Sequence, residues 1–285
     1  MKIKSAFATI SIFSIIVLAG VSSATPPRGL INITTTLTSK ASSVIAQATQ
    51  LNLPLLVKTV TNFLRGDVYE TDSQTRFSLG QQGTNVDFYM QSKTIVATPG
   101  KFRAEVVFTN PGDITKEPTL IICDGQKVSI YRPDLRQYTV MSANDFEKTN
   151  DSYLIGMSSA LFLQVPIDAK QMVAQGKLSD KDVLSEIGLA ANTAIKQNQQ
   201  TINNVPLSVY NYTDSKAGWT ISAFIQPETT TLKQVQVAGS GEGFNILMTE
   251  QILSRTENPL LTPTTFKFTP PQGAKLVKSL EITPF

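Results

Sequence analysis

The sequence contains no histidine and a single cysteine, Cys123. Without an imidazole there is no Ser-His-Asp or Cys-His machinery, no histidine-bearing zinc site and no imidazole general base. With one thiol there is no disulfide within the chain, so stability has to come from burial. The neighbours Ile121, Ile122 and Asp124 bring no cation that would lower the thiol pKa, and Cys123 reads as a small strand residue. Charge is also sparse and nearly balanced, with 25 Lys and Arg against 22 Asp and Glu. No basic stripe favours nucleic acid or an anionic membrane surface. Asp67, Glu70 and Asp72, and Asp180, Asp182 and Glu186, lack the glycine-punctuated spacing of a calcium loop and read as solvated segments. Neither a metal nor a cofactor is expected. The glycine-rich run 239–243 lies between strand patterns and does not precede a helix, so it reads as a β-turn and not a phosphate loop.

At the start of the chain Lys2 and Lys4 precede an apolar run from Ala6 to Val21, followed by Ser22-Ser23-Ala24. This is the pattern of a secretory signal cut after Ala24, and the run is short of the roughly 20 residues that a bilayer core needs. No cysteine follows it to carry an N-terminal lipid. Losing the two lysines takes the formal charge from +3 to +1. The remaining chain of about 261 residues is long enough for one large β domain or two small ones. Asn32, Asn150 and Asn211 head N-x-Ser/Thr triplets, which matter only in a eukaryotic secretory route.

A polar leader, residues 25–38, precedes a helical segment of small residues from Ser39 to Gln50. A second helix starts at Asn52-Leu53-Pro54, carries Leu56, Val60, Phe63 and Leu64 on one face, and stops at Gly66. From Gln74 to Met141 the period changes to two: Val86, Phe88 and Met90 alternate with polar residues, as do Phe102, Ala104, Val106 and Phe108 with Arg103 and Glu105. Turn signals at 98–100, 110–113, 124–125 and 132–134 separate these runs, so an antiparallel meander follows. Between Asn144 and Gly188 a helical insertion interrupts the strands, with an apolar segment from Tyr153 to Leu163 and an N-cap signature at 179–186. Strand patterns resume near Thr193 and run to Leu253. The expected fold is mainly β, a single domain over 39–285 whose one-sided apolar sheet curls under helices.

Three stretches resemble the LolA/LolB-type periplasmic carriers of lipoprotein acyl chains. These are Thr98-Pro-Gly-Lys-Phe-Arg103, Asp124-Gly-Gln-Lys-Val-Ser-Ile-Tyr131 with Pro133 and Gln137 beyond it, and Phe266-Lys-Phe-Thr-Pro-Pro-Gln-Gly273, which is similar to the family's closing strand. The resemblance implies an unclosed antiparallel half-barrel with helices across its mouth, an apolar cavity inside, and no catalysis. It also implies a periplasmic location and a cargo of lipoprotein or lipid acyl chains, passed from an inner-membrane donor to an outer-membrane acceptor. A monomer is expected, with no nucleic-acid partner. In the lipoprotein carrier an arginine just before the turn proline ties the lid shut, and that place is Thr98 in this chain. The residues expected to line the cavity are Phe88, Met90, Phe102, Val106, Phe108, Ile130, Leu154, Phe162, Trp219, Ile221, Phe244, Ile246 and Met248. The bland alternative is that they pack against the helices as an ordinary core. Arg103 and Glu105 are expected to point outward. A lipid-sensing or interaction domain of an envelope regulatory system is the rival role.

Overall fold

A computed structural model of the chain describes residues 51–81, 84–109, 117–149, 151–180, 195–214, 218–241 and 244–282. The signal, the leader, the segment 39–50, the turn at 110–113, residues 181–186 of the N-cap signature, and Asn32 and Asn150 lie outside them. Helix α1, Leu53–Leu64, begins where expected. The side chain of Asn52 accepts a hydrogen bond from the Leu55 N–H at 3.1 Å, Pro54 occupies the first turn, and Gly66 turns the chain away at φ +84°. Thr59, Phe63 and Leu64 are its buried residues.

Six strands follow in sequence: β1 Val68–Gln81, β2 Thr84–Ala97, β3 Lys101–Thr109, β4 Thr119–Asp124, β5 Lys127–Arg132 and β6 Gln137–Ser142. Each pairs antiparallel with the next, which is the expected meander. At its centre Asp124 Oδ1 accepts the N–H groups of both Gln126 and Lys127 at 2.8 Å, and Gly125 supplies φ +102°. The helical insertion comes next: α2 Ala143–Lys148, a 3-10 turn Ser152–Ile155, α3 Met157–Gln164 and α4 Ile167–Ala174. The apolar segment 153–163 is thus two pieces broken at Gly156. A second meander closes the fold: β7 Ile195–Ile202, β8 Val205–Asp214, β9 Trp219–Gln226, β10 Thr231–Gly241 and β11 Phe244–Glu257.

Among the described residues all strands, with a two-residue β12 at Lys275–Leu276, belong to one sheet, ordered β12-β6-β5-β4-β3-β2-β1-β11-β10-β9-β8-β7. The two meanders meet where β1 pairs with β11 along nearly its whole length. The outer strands β12 and β7 are not neighbours, so the sheet is an unclosed half-barrel. The helices pack on its inner face, α3 against β2 and β11, and α1 against β10 and α4.

Three expectations need correction. First, β1 starts at Val68 and not at Gln74. The residues from Glu70 to Arg76 are all polar, so neither face shows in the sequence. Second, Phe266–Gly273 is not a strand. Pro270 and Pro271 have no N–H to donate to a ladder, and only Lys275–Leu276 forms a short β12 parallel to β6. The segment instead lays Phe268 against Tyr138, ring centres 5.4 Å apart, and Tyr131, 6.2 Å apart. Third, Val86 has the phase of Phe88 and Met90 yet is 57% exposed.

Candidate functional site

The side chains facing the helices form one contiguous apolar cluster. Phe88, Met90, Phe102, Val106, Ile130, Leu154, Phe162, Ile221 and Met248 are buried in it, and Phe108, Trp219 and Ile246 are half-buried against it. Phe244 begins β11, and its side chain lies outside the described residues. Phe77 stacks on Phe88 at 4.7 Å, Tyr153 meets Phe77 edge-on at 5.0 Å, and Phe102 packs on Phe146 of α2 at 5.7 Å. Trp219 lies flat on Gly239, where a Cβ would come within 2.3 Å of the indole, so glycine is needed at that point of β10. Arg103 and Glu105 sit on the opposite face, paired to each other at 3.0 Å. Cys123 is fully buried, and burial pushes its thiol pKa up.

The centre of the inner face is polar. Thr71, Ser73 and Thr75 of β1, Ser92 and Thr94 of β2, and Glu250 of β11 are all buried there. Glu250 is fully buried, and its carboxylate ties down the start of α3. The Ser158 N–H donates to Oε2 at 2.6 Å and the Ser158 hydroxyl to Oε1 at 3.0 Å. Beside it the hydroxyls of Ser73 and Ser92 share a hydrogen bond of 2.9 Å. Gly156, at φ +84°, is forced by this arrangement, because a Cβ would stand 2.7 Å from Glu250 Oε1. Burial raises the Glu250 pKa, opposed chiefly by the bonds from Ser158 and Ser73 and then by the charge of Arg255.

Arg255 ties the other helix. Its Nη2 donates to the Phe63 carbonyl of α1 at 2.9 Å, and its guanidinium lies 3.8 Å over Phe63 and 3.9 Å over Tyr69. Burial lowers its pKa to about 10. Thr98, at the place of the family's locking arginine, instead donates to Asp67. The arginine that ties a helix in this chain comes from β11, late in the sequence. A bulge explains why its strand phase is hidden. Ile252 opposes Ser73 and Ser254 opposes Asp72, so Leu253 is extra, and Arg255 returns to the inner side opposite Thr71.

Lys170 of α4 stands 3.6 Å over the ring of Phe162, and burial lowers its pKa to about 8 against the attraction of Asp67. Its ammonium, the Arg255 Nε and the hydroxyls of Thr75, Thr94 and Ser159 are buried without a hydrogen-bond partner among the described residues. A pocket of about 230 Å³ opens beside Arg255, lined also by Asn62, Phe63, Arg65, Tyr69, Thr230, Thr231 and Glu257. On the outer face a groove of about 350 Å³ is lined by polar residues, with Gln74, Gln234, Gln236 and Gln251 among them.

Sequence reasoning missed Glu250, Arg255 and Lys170. One signal for Glu250 was available: it continues the apolar phase Phe244-Ile246-Met248 of its strand, so an acid stands where the pattern calls for a core residue.

Several solved structures are similar to this chain at low identity. A putative outer membrane lipoprotein-sorting protein domain from Vibrio parahaemolyticus is 11% identical, with TM-score 0.31 over 76% of this chain and 97% of that one. A LolA superfamily protein from Nitrosomonas europaea is 8% identical, with TM-score 0.30 over 76% and 99%. MucB in the Pseudomonas aeruginosa MucA/MucB complex is 10% identical, with TM-score 0.33 over 76% of this chain and 60% of that one. No curated protein matches the sequence. A family model does match, over residues 70–280, from the second residue after the start of β1 to beyond β12, and the chain belongs to that family, described as predicted periplasmic protein (DUF2092).

Proposed function

We propose that the protein is a periplasmic carrier that takes the acyl chains of lipids or lipoproteins onto the inner face of its half-barrel and delivers them toward the outer membrane. The observation that carries this reading is the inner face itself. It carries an apolar cluster that spans both meanders around a polar centre, and the helices that cover it are short separate pieces with few polar ties, α3 to β11 through Glu250 and α1 to β11 through Arg255 and to β8 through the Tyr210 hydroxyl. Such a cover is released by breaking localised bonds, after which an acyl chain replaces apolar helix contacts at little net cost. A chain of 14 methylenes, at about 0.8 kcal/mol each, gains about 11 kcal/mol gross before ordering costs, so an apolar surface suffices for tight binding. Transfer then follows differences in affinity between donor, carrier and acceptor.

Displacement of α3 would open part of the expected set to an acyl chain. Phe88, Met90 and Met248 belong to strands that α3 packs against, and Phe162 to α3 itself. Native mass spectrometry of protein purified from its own periplasm tests the reading: a co-purifying lipid or acylated peptide is expected. An apo mass that persists after incubation with such lipids, together with capture of a protein partner, would favour the sensing or interaction domain instead.

A further inference from the structure

Three cations converge where α1 ends. Arg255 stacks on Phe63 and Tyr69, Lys170 lies over Phe162, and Arg65 follows the last residue of α1. Arg255 and Lys170 share one ring, since the Arg255 guanidinium is also 5.6 Å from the centre of Phe162. The anions nearby act on these cations by charge, Asp67 on Lys170 and Glu250 and Glu257 on Arg255, and none is bonded to them. Glu250 holds Ser158, Glu257 accepts the Tyr69 hydroxyl at 3.2 Å, and Asp67 accepts from Thr98. The Lys170 ammonium and the Arg255 Nε are left buried without a hydrogen-bond partner among the described residues. Burying a cation without a hydrogen-bond partner is costly, and the Phe162 ring offsets only part of that cost. Beside this cluster lies the pocket of about 230 Å³, whose walls carry the guanidinium groups of Arg65 and Arg255 and the polar side chains of Asn62, Thr230 and Thr231, with Glu257 as the one carboxylate, held by the Tyr69 hydroxyl. Two guanidinium forks among hydroxyl and amide groups match the geometry of a multivalent oxyanion.

We infer that this pocket binds an anionic oxygen group, a phosphate above all, and that it receives the headgroup of an amphiphile whose chain enters the inner face past Phe162. The second half of the inference rests on the carrier reading. The bound anion pairs with Arg65 and Arg255 and lowers the cost of the Lys170 charge behind the ring.

The test is calorimetric titration of the full chain, at low salt, with lauroyl lysophosphatidate, with uncharged monolaurin and with inorganic phosphate. The expected result is a preference of about tenfold or more for lysophosphatidate over monolaurin. Arg65→Ala and Lys170→Met should each narrow that ratio, whereas Arg76→Ala on the outer face should leave it unaltered. Arg255→Ala removes the tie to α1 and is not relied on. Lys170→Met removes an unpartnered charge, and a thermal melt at least as high as that of the parent shows that the variant is folded. Equal affinity for the two lipids overturns the inference and leaves the carrier reading standing. If neither lipid binds, the carrier reading fails and inorganic phosphate decides: binding that weakens in Arg65→Ala and Lys170→Met supports a site for the free anion, and no binding overturns the inference.

Discussion

The wall made by β3, β4 and β5 and the wall made by β1, β2 and β11 present opposite chemistries to the same set of helices. In the first, Phe102, Ala104, Val106, Ile121, Cys123, Val128 and Ile130 form an unbroken apolar surface, most of it with no solvent exposure at all. In the second, apolar ends flank the buried polar row of Thr71, Ser73, Thr75, Ser92, Thr94 and Glu250. Apolar contacts have little direction, so any hydrocarbon of suitable shape serves, whether a helix side chain or an acyl chain. Hydrogen bonds have direction, and they fix where α1 and α3 sit. The difference separates two tasks: the apolar wall supplies affinity, and the polar wall supplies a closed position that localised bonds maintain.

Substitutions in the two walls should therefore differ in kind. The largest effect is expected for Ile130→Asp, which places an unpaired carboxylate at a site with 0% exposure. A loss of about 4 kcal/mol or more in urea unfolding is expected, enough to abolish the cooperative transition in a domain of ordinary stability. A well-folded Ile130→Asp protein would show that this wall is open to water.

Next comes Glu250→Ala, which leaves the Ser158 N–H and hydroxyl without their acceptor. A cost of about 3 kcal/mol is expected, with Glu250→Gln recovering much of it because the amide oxygen still accepts the N–H. Equal unfolding midpoints for Ala, Gln and the parent would mean that the polar wall holds nothing. A smaller effect, about 1–3 kcal/mol, is expected for Gly156→Ala, from the positive φ and from the Cβ that would crowd Glu250. Hydrogen exchange should show the change concentrated in α3 and spare β3–β5.

The pH dependence should report on the buried charges at the helices, Lys170 of α4 and Glu250 of the polar wall, whereas the shifted group of the apolar wall is the Cys123 thiol, pushed up by burial. Lys170 has a folded-state pKa of about 8 against an ordinary 10.5, so between those values the unfolded chain binds more protons and stability rises with pH. Glu250 acts in the opposite sense lower down: its raised pKa means that the folded state holds the extra proton, and stability falls as pH rises above the ordinary carboxylate range. Thermal melts as a function of pH should show both slopes. Lys170→Met should erase only the alkaline one; if that slope survives, another group carries it.

The apolar wall was legible in the sequence, and the polar wall was not. Strict alternation in Phe102-Ala104-Val106, bracketed by Pro99-Gly100 and Asp124-Gly125, gives both the strands and their inward face, because one side is dry and the other wet. Helix α1 was legible for a similar reason, with a cap, a proline in the first turn and a stop. The row Glu70 to Arg76 shows no contrast between its faces, so the buried side of β1 is decided by its neighbours and not by its own residues. Arg255 is hidden by the bulge at Leu253, which changes the phase of β11 after the last recognisable apolar residue. Lys170 lies in a helix with only a weak apolar face, and its burial depends on where α4 lands. Polar side chains that fold inward depend on partners distant in sequence: Glu250 is 92 residues from Ser158, and Arg255 is 192 from Phe63.

The most direct test of acyl-chain binding on the inner face uses Trp219, the single tryptophan of the chain, which is half-buried against the apolar cluster. A fatty acid brominated along its chain quenches an indole only at close contact. Saturable quenching of Trp219 by such a chain is expected, reversed by excess unbrominated chain and lost in Phe108→Asp, where a carboxylate enters the half-buried margin of the face. Saturable binding of the brominated chain that leaves Trp219 fluorescence unchanged would contradict the account, because the chain would then lie elsewhere on the molecule.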